Sequence, residues 1–293
     1  LHDGTGRAVG VPESGISAGH RLQHSRTAIG APRFRGSFSP VAEAVILGSG
    51  TSNGVPMLGY AYPPGYLDDP RNRRNRACLL LKNGDRNLLV DCPPEMRLML
   101  TAEGVTDVEA VLLTHTHADH VMGMDDLRSL CMIHGRPISV YARPEHAADV
   151  RRIYPYAFEE PRPGVAVPRF EMHDVPPVLR LAGLELRTFP VEHGRTTVTA
   201  FRVNDFAYLT DVSRIPDEAM PLLRDLETLV VDAVRLRPHP NHFHLERALE
   251  TIADLRPRRA VLTHLSHDYD HGPDSAKLPP GVEFAVDGLR IAI

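Results

Sequence analysis

The sequence has few cysteines, no excess of basic charge and no long apolar run, and each shortage excludes a class of protein. Its three cysteines, Cys78, Cys92 and Cys131, show no paired spacing, so they predict neither a disulfide framework nor a CxxC metal knuckle. No stretch approaches the roughly 18 apolar residues of a membrane span. The start also lacks the apolar core, about 7–15 residues long, of a secretory signal. We therefore expect a protein of the reducing cytoplasm.

The charge balance limits the partners. Thirty-three basic residues face 37 acidic ones, which gives a formal net charge of −4. Broad, unspecific binding of nucleic acid normally needs a basic footprint, so extended nucleic acid is not an expected partner. A membrane is not an expected partner either, because no apolar run is long enough to span one. A small anionic substrate held by a few local arginines fits this balance. The oligomeric state is left open, a homodimer being one outcome.

Composition also divides the chain into two parts. Residues 1–40 are rich in Gly, Ser, Pro and Arg and show no sustained periodicity. Such a segment buries too little apolar surface to offset its ordering entropy, so we predict a disordered tail or an over-extended start of translation. The remaining 253 residues, 41–293, are predicted to form one domain.

Strand and helix signals alternate along residues 41–293. A hairpin is predicted at Asn83-Gly84, and a helix over 95–104 that Gly104 closes. In the second half, strands are expected at 168–173, 179–189, 197–203 and 206–210, with helices near 216–225 and at 245–255, and a final hairpin in 284–293. Two strand-rich halves interleaved with helices predict a four-layer α/β arrangement, in which sheet packs on sheet and helices lie outside.

The segment "LLTHTHADH" (112–120) concentrates potential metal ligands. His115, His117, Asp119 and His120 come just after a predicted buried strand. Because side chains alternate along the loop, His115 and His117 are expected to point in the same direction. Asp119 and His120 begin the next helix and can face a second position. Imidazole and carboxylate are ligands for zinc, iron and manganese. A solvated polar loop is the competing interpretation.

Further ligands are expected downstream, because four residues cannot complete two metal sites. His193 in "FPVEHGR", Asp211 in "FAYLTDVS" and His264 in "RAVLTHLSHDYDH" each follow an apolar run. A strand would deliver each of these side chains to one rim of its sheet. The pattern therefore predicts a metal centre assembled from several strand ends.

The order HxHxDH, His, Asp, His resembles that of the metallo-β-lactamase-fold hydrolases across 41–293. The resemblance implies an αββα four-layer sandwich and two divalent metal ions, zinc or manganese, with iron as a further option. It implies one metal on His115, His117 and His193, a second on Asp119, His120 and His264, Asp211 as the bridge, and Asp91 as an aspartate that orients a ligand. The implied chemistry is hydrolysis by hydroxide held between the metals, with Asp119 also in the catalytic set.

Local motifs resemble one branch of that superfamily more closely. "LGSGTSNGVPMLG", "LLVDCPPEMR", "HADHVMGMDDLR", "PHPNHFHLERAL" and "LTHLSHDYDH" are similar to the branch that contains phosphoribosyl 1,2-cyclic phosphate phosphodiesterase. There, a histidine 22 residues before the last metal-binding histidine protonates the leaving oxygen, and that spacing from His264 selects His242. Of its neighbours, His239 is expected at a rim and His244 in the first turn of helix 244–254, facing solvent.

The chain departs from this branch in one loop. The phosphodiesterase of that branch has a CxCxxC structural-zinc loop, and this chain has Tyr60, Tyr62 and Gly65 in its place. His267 therefore lacks thiolate partners, and no third zinc is expected. The nearby segment "DPRNRRNRA" (69–77) holds four arginines. We predict that Arg74 and Arg76 clamp a terminal phosphate, with a solvated loop as the alternative.

The leading hypothesis is a dinuclear metal-dependent phosphodiesterase that cleaves a small cyclic phosphodiester with His242 as general acid. A tRNA 3′-processing ribonuclease is one alternative, although the long basic insertion that would grip tRNA is not found in the sequence. A lactonase or thioesterase is another, because the same hydroxide attacks carbonyls. Outside catalysis, the chain would be an accessory or binding member of the fold.

Overall fold

The computed structural model describes residues 42–160 and 162–293, and the tail predicted for 1–40 lies outside them. Within the described residues, two sheets of seven strands form the centre. The first sheet contains β1 (Glu43–Gly48), β2 (Cys78–Asn83), β3 (Arg86–Val90), β4 (Ala110–Leu112), β5 (Ile138–Ala142), β6 (Phe170–Asp174) and β14 (Leu289–Ala292). The second contains β7 (Val178–Leu181), β8 (Leu184–His193), β9 (Thr196–Val203), β10 (Phe206–Leu209), β11 (Thr228–Asp232), β12 (Arg259–Thr263) and β13 (Val282–Phe284).

Both sheets are mixed. The first has the order β14-β1-β2-β3-β4-β5-β6, antiparallel as far as β3 and parallel from β3 to β6. The second has the order β13-β12-β11-β10-β9-β8-β7, parallel from β10 to β13 and antiparallel elsewhere. Parallel neighbours need crossover connections, so the chain leaves each sheet beyond the carboxyl end of a strand and returns over one face.

Six helices cover the described part of the chain: α1 (Met96–Ala102), α2 (Ala118–Val121), α3 (Arg128–His134), α4 (Pro144–Ile153), α5 (Leu245–Leu255) and α6 (His271–Ser275). Among these helices, α5 is the longest at 11 residues, and none combines the length and apolar character needed to cross a membrane. The spacing of Leu245, Ala248, Ile252 and Leu255 gives α5 one apolar face, as amphipathic helices have.

The alternation of side chains along the strands produces three apolar layers. In β2, Leu79 and Leu81 point toward the second sheet and pack with Phe201, whereas Leu80 points outward with Met96 of α1. A third apolar cluster joins the outer face of the second sheet to α5. The strands are therefore buried on both faces, and the predicted four-layer αββα sandwich is confirmed.

Three predicted elements differ from those observed. The expected strand over 179–189 is a hairpin, because β7 and β8 turn at Ala182-Gly183 with positive φ at both residues. The expected helix near 216–225 is only a 3₁₀ turn at Met220–Leu223, since Pro221 has no N–H to continue a helix.

The predicted final hairpin in 284–293 is also wrong. Strand β13 is an edge of the second sheet, whereas β14 pairs with β1 in the first, so this segment crosses between sheets. Asp287 lies in the crossing, where its carboxylate accepts hydrogen bonds from the Ser49 amide and hydroxyl and from the Asn75 amide. Short-range turn signals carry no information about which sheet the following strand joins.

Candidate metal centre

The predicted ligands lie at strand ends on one rim of the sandwich. His115 and His117 follow β4, and Asp119 and His120 lie in α2 immediately after them. His193 is the last residue of β8, Asp211 comes two residues after β10, and His264 directly follows β12. The two sheets thus contribute side chains to one site.

The first group comprises three histidines. Nε2 of His115 lies 2.9 Å from Nδ1 of His117, and Nε2 of His193 lies 3.3 Å from the same atom. Potential ligand atoms of the three residues all lie within 4.8 Å of one another. This is the set that the family resemblance implies for one metal.

The second group surrounds Asp211, which is 1% exposed. Its Oδ2 lies 3.0 Å from Nε2 of His120 and 3.8 Å from Nε2 of His115, and its Oδ1 lies 3.0 Å from Nδ1 of His264. Asp119 belongs to the same group, because its Oδ2 lies 3.3 Å from Nε2 of His120. Asp211 therefore lies between residues from both implied ligand sets, as a bridging carboxylate would.

Burial keeps several of these histidines neutral. It lowers the pKa of His115 well below its usual value and that of His264 to about 3, despite attraction to Asp211. The pKa of His193 is lowered mainly by burial as well. A neutral imidazole has a free lone pair for a metal, so these residues are ready to act as ligands without losing a proton.

His120 is the exception and shows that the site favours a cation. Burial lowers its pKa, but attraction to Asp211 and Asp91, with the carboxylates of Asp119 and Asp211 close to its Nε2, outweighs burial and raises the pKa well above its usual value. Asp211 itself, although buried, has a pKa held well below the usual range by His264 and His120. A metal ion would take the place of the proton on His120.

Two buried nitrogens fit a metal directly. Nε2 of His120 and Nδ1 of His264 have no aligned hydrogen-bond partner among residues 42–160 and 162–293, although each lies 3.0 Å from an Asp211 oxygen. Buried polar atoms are rarely left unpartnered. Imidazole and carboxylate donors converge here, so the residues present fit a divalent metal such as zinc, manganese or iron.

The backbone at this rim is strained. Asp91, Asp211 and His264 have φ of 64°, 53° and 59°, in the left-handed region that most non-glycine residues avoid. Each follows a strand, so the left-handed residue turns the chain as its side chain enters the site. Strained residues of this kind cluster at functional sites because the surrounding structure holds them there.

Hydrogen bonds orient the ligands from behind. The buried carboxylate of Asp91 pairs with Nδ1 of His120 at 2.8 Å and accepts hydrogen bonds from the amide and hydroxyl of Thr114. Nδ1 of His193 lies 2.7 Å from the carbonyl oxygen of Asn241. Each contact fixes which ring nitrogen faces the site.

His242 enters the site from the loop after β11. Its ring stacks on His264 with centroids 4.9 Å apart, and it is 4.4 Å from the ring of His193. One ligand atom of His242 also lies within 4.8 Å of ligand atoms of Asp211 and His264. The residue predicted as general acid therefore borders the predicted ligands, close enough for a ligand role to be tested beside the acid role.

Asp232 is a functional candidate that the sequence analysis missed. It is fully buried, and its Oδ2 lies 2.8 Å from Nδ1 of His242 and accepts a hydrogen bond from the Val212 amide. Burial raises the pKa of Asp232 to about 6. Burial lowers the pKa of His242, but Asp232 outweighs it and raises that pKa above its usual value. The signal was available, since Asp232 closes the apolar run "TLVVD" as Asp91 closes "NLLVD".

The two neighbouring histidines have different surroundings. His239 is half-buried and packs edge-on against His242, and its pKa is lowered to about 4 by burial and by nearby His242 and Arg235. It is therefore neutral near pH 7. His244 precedes α5, which begins at Leu245, and its side chain is 18% exposed rather than facing solvent.

The predicted phosphate contact of Arg74 is not supported. Arg74 is 2% exposed, and its guanidinium donates to the Tyr66 hydroxyl and to the carbonyl oxygens of Ser266 and Tyr269. Arg76 pairs with Glu95 and donates to the Ser52 carbonyl at 2.7 Å. Arg74 is thus buried against the segment after His264, whereas the phosphate contact of Arg76 stays a prediction.

Aromatic packing occupies the loop that contains Tyr60, Tyr62 and Gly65. Tyr60 lies over His267 with centroids 4.2 Å apart, Tyr62 stacks on Tyr66 at 5.0 Å, and the Tyr62 hydroxyl accepts a hydrogen bond from the Met57 amide. The Tyr66 hydroxyl donates to the Tyr269 carbonyl at 2.8 Å. Tyrosine contacts thus link this loop to the segment after His264.

Comparisons with known proteins agree on the family of this chain. Residues 86–265 match the family described as beta-lactamase superfamily domain. A crystal structure of a diphosphatase from the PhnP family is 35% identical, with a TM-score of 0.79, and the match covers 85% of this chain and 96% of that one. The similarity in fold and sequence thus extends over nearly the whole length of that chain.

Two curated relatives are longer proteins. An octanoyltransferase of Porphyromonas gingivalis is 34% identical over 255 residues, which are 85% of this chain and 51% of that protein. A ribonuclease Z of Methanopyrus kandleri is 31% identical over 158 residues, 52% of this chain and 50% of that protein. The chain spans about half the length of the octanoyltransferase, and the match with the ribonuclease covers half of that protein.

Replacement of Asp91 tests the support of His120. Asparagine tolerates the left-handed backbone, so Asp91→Asn removes the charge without adding strain. We expect metal affinity to fall about 10- to 100-fold, as when comparable supporting groups are lost. Competitive titration with a chelator measures this affinity. Asp254→Asn, at an exposed position in α5, is the control, and equal affinity in both variants would contradict the assigned role of Asp91.

Proposed function

Because this chain belongs to the β-lactamase superfamily, we propose that its rim of histidines and aspartates is a dinuclear metal centre that hydrolyses compact phosphodiesters. The expected substrate class is a small cyclic phosphodiester, similar to a phosphoribosyl cyclic phosphate. The observation that carries this proposal is the juxtaposition of His242 with the ligand cluster, while Asp232 binds the far side of its ring. The predicted proton donor and the predicted metal ligands thus border the same space.

The residues that would hold the metals are the two groups described above. His115, His117 and His193 would bind one ion, Asp119, His120 and His264 the other, and Asp211 both. Divalent ions in such a site lower the pKa of a bound water toward about 7 and offset negative charge on phosphoryl oxygens. Asp91 would keep His120 in the orientation that presents Nε2.

His242 would supply the proton that the leaving oxygen needs. Ring opening of a cyclic phosphodiester releases an alkoxide, which is a poor leaving group unless it is protonated. Asp232 occupies Nδ1 of His242 and leaves Nε2 for the substrate, and it stabilises the protonated ring. His239 is neutral near pH 7, so it is the weaker candidate for a proton donor.

A phosphorus centre is preferred over a carbonyl for two reasons. The cavity beside His242 is bordered by Arg235 and Arg237, which suit an anionic substrate. The similarity to a diphosphatase of the PhnP family supports phosphate chemistry and makes diphosphate hydrolysis the second candidate. The activity that we assign to the whole protein is therefore a proposal.

A substrate panel tests the proposal. Purified protein loaded with zinc or manganese is offered a cyclic phosphodiester, a diphosphate ester, a lactone, a thioester and a 3′-extended tRNA precursor. We expect the highest kcat/KM for the cyclic phosphodiester. Turnover of carbonyl substrates or tRNA alone would contradict it, and less than one tightly bound metal per chain would favour a non-enzymatic binding role.

Replacement of His242 separates proton donation from metal binding. His242→Ala should retain the metals but slow cleavage of esters with poor leaving groups by roughly 10²–10⁴, the usual contribution of general acid catalysis. Esters with good leaving groups should be affected far less. His244→Ala, two residues away, is the matched control. Loss of metal from His242→Ala would instead identify His242 as a ligand.

Asp232 is expected to act through His242, and a double-mutant cycle tests this. Asp232→Asn should lower kcat for poor leaving groups, because the ring loses its partner and its preferred orientation. The same substitution in the His242→Ala background should have little further effect, since coupled residues are not additive. Additive losses would mean that Asp232 acts elsewhere. Asp254→Asn, at an exposed position in α5 and not among the residues that line this cavity, is the control.

A further inference from the structure

A cavity of about 310 Å³ adjoins His242 on the side of the β11–α5 loop. Arg235, Arg237 and His239 line it together with His242, and Asp268 borders it as well. His239 lies between the catalytic candidate and the arginines in sequence, and its ring is 4.9 Å from that of His242. The cavity is thus continuous with the predicted reaction site.

The two arginines differ from Arg76 and Arg214 in their charge partners. Arg214 pairs with Glu192 and Arg76 with Glu95, whereas neither Arg235 nor Arg237 forms an ion pair with any residue in the described ranges 42–160 and 162–293. Their positive charge is therefore not neutralised by those residues.

The conformation of Arg235 is fixed by carbonyl oxygens. Its Nε donates to the Arg237 carbonyl at 3.1 Å, and a terminal nitrogen donates to the Pro238 carbonyl. These contacts hold the guanidinium at the wall without cancelling its charge. Less side-chain entropy is then lost when a ligand binds, and this preorganisation favours binding.

We propose that Arg235 and Arg237 bind a second phosphate of the substrate, separate from the phosphodiester that is cleaved. A planar guanidinium donates two parallel hydrogen bonds to phosphate oxygens, which a carbonyl substrate without an anion could not use. The proposal rests on the proposed function for the cleaved bond, and it assigns residues to the phosphate that a phosphoribosyl cyclic phosphate carries outside the ring that is opened. It also moves the predicted phosphate clamp from Arg74 and Arg76 to the β11–α5 loop.

Two substrates that differ by one phosphate test this. Thymidine 5′-(p-nitrophenyl phosphate) has only the cleavable diester, and its 3′-phosphorylated form adds the second phosphate. We expect wild-type protein to prefer the second compound in kcat/KM. In Arg235→Gln/Arg237→Gln that preference should fall about 10- to 100-fold, the range for loss of charged hydrogen bonds. An unchanged preference would overturn the proposal.

The control variant removes two positive charges at positions that do not line the cavity. Arg180 on β7 and Arg258, at the opposite end of β12 from His264, are exposed and pair with Glu185 and Glu227. Arg180→Gln/Arg258→Gln should keep the wild-type preference. An equal loss of preference in this variant would mean that the change in net charge alone explains the effect. Exposed Arg237 can also be replaced alone, with a smaller loss expected, if the double variant does not fold.

Pyrophosphate binding separates failure of this proposal from failure of the proposed function. Calorimetry with the metal-loaded protein requires no turnover, so it remains informative if neither thymidine compound is cleaved. An affinity at least about 10-fold weaker in Arg235→Gln/Arg237→Gln than in the control variant would support the anion site on its own. Equal affinity in the two variants would overturn it.

Discussion

The site depends on the burial of Asp211. A carboxylate that is 1% exposed needs polar or positively charged groups close by, and His120 and His264 approach its two oxygens to 3.0 Å from different sheets. Asp91 repeats the arrangement one layer further back, behind His120. The histidines therefore converge around buried negative charge, and this charge is also what makes the site favourable for a metal cation.

The architecture explains why the residues meet at one rim. Parallel strands β10, β11 and β12 end together, so Asp211, Asp232 and His264 leave the second sheet side by side. The first sheet delivers Asp91 and the segment beginning with His115 from its parallel pair β3 and β4. Left-handed backbone at three of these exits turns the chain sharply, and the buried apolar layers beneath hold the strained residues in place.

The loop after β11 combines proton transfer and recognition. Buried Phe243 anchors it, because its amide donates to the Val212 carbonyl and its carbonyl accepts from the Val234 amide. With that anchor fixed, His242 faces Asp232 and the ligand cluster, and Arg235 and Arg237 border the adjoining cavity. One short segment therefore relates the predicted acid to the proposed second phosphate contact.

The sequence alone determined the fold class and proposed the ligand set, because buried strands read as apolar runs and HxHxDH has few uses besides metal binding. It also selected His242 by spacing. Only the tertiary structure decided that Arg74 is internal, that 284–293 joins two sheets, and that Asp232 supports His242. These facts depend on contacts between residues distant in sequence, whereas periodicity and turn chemistry report only on neighbours along the chain.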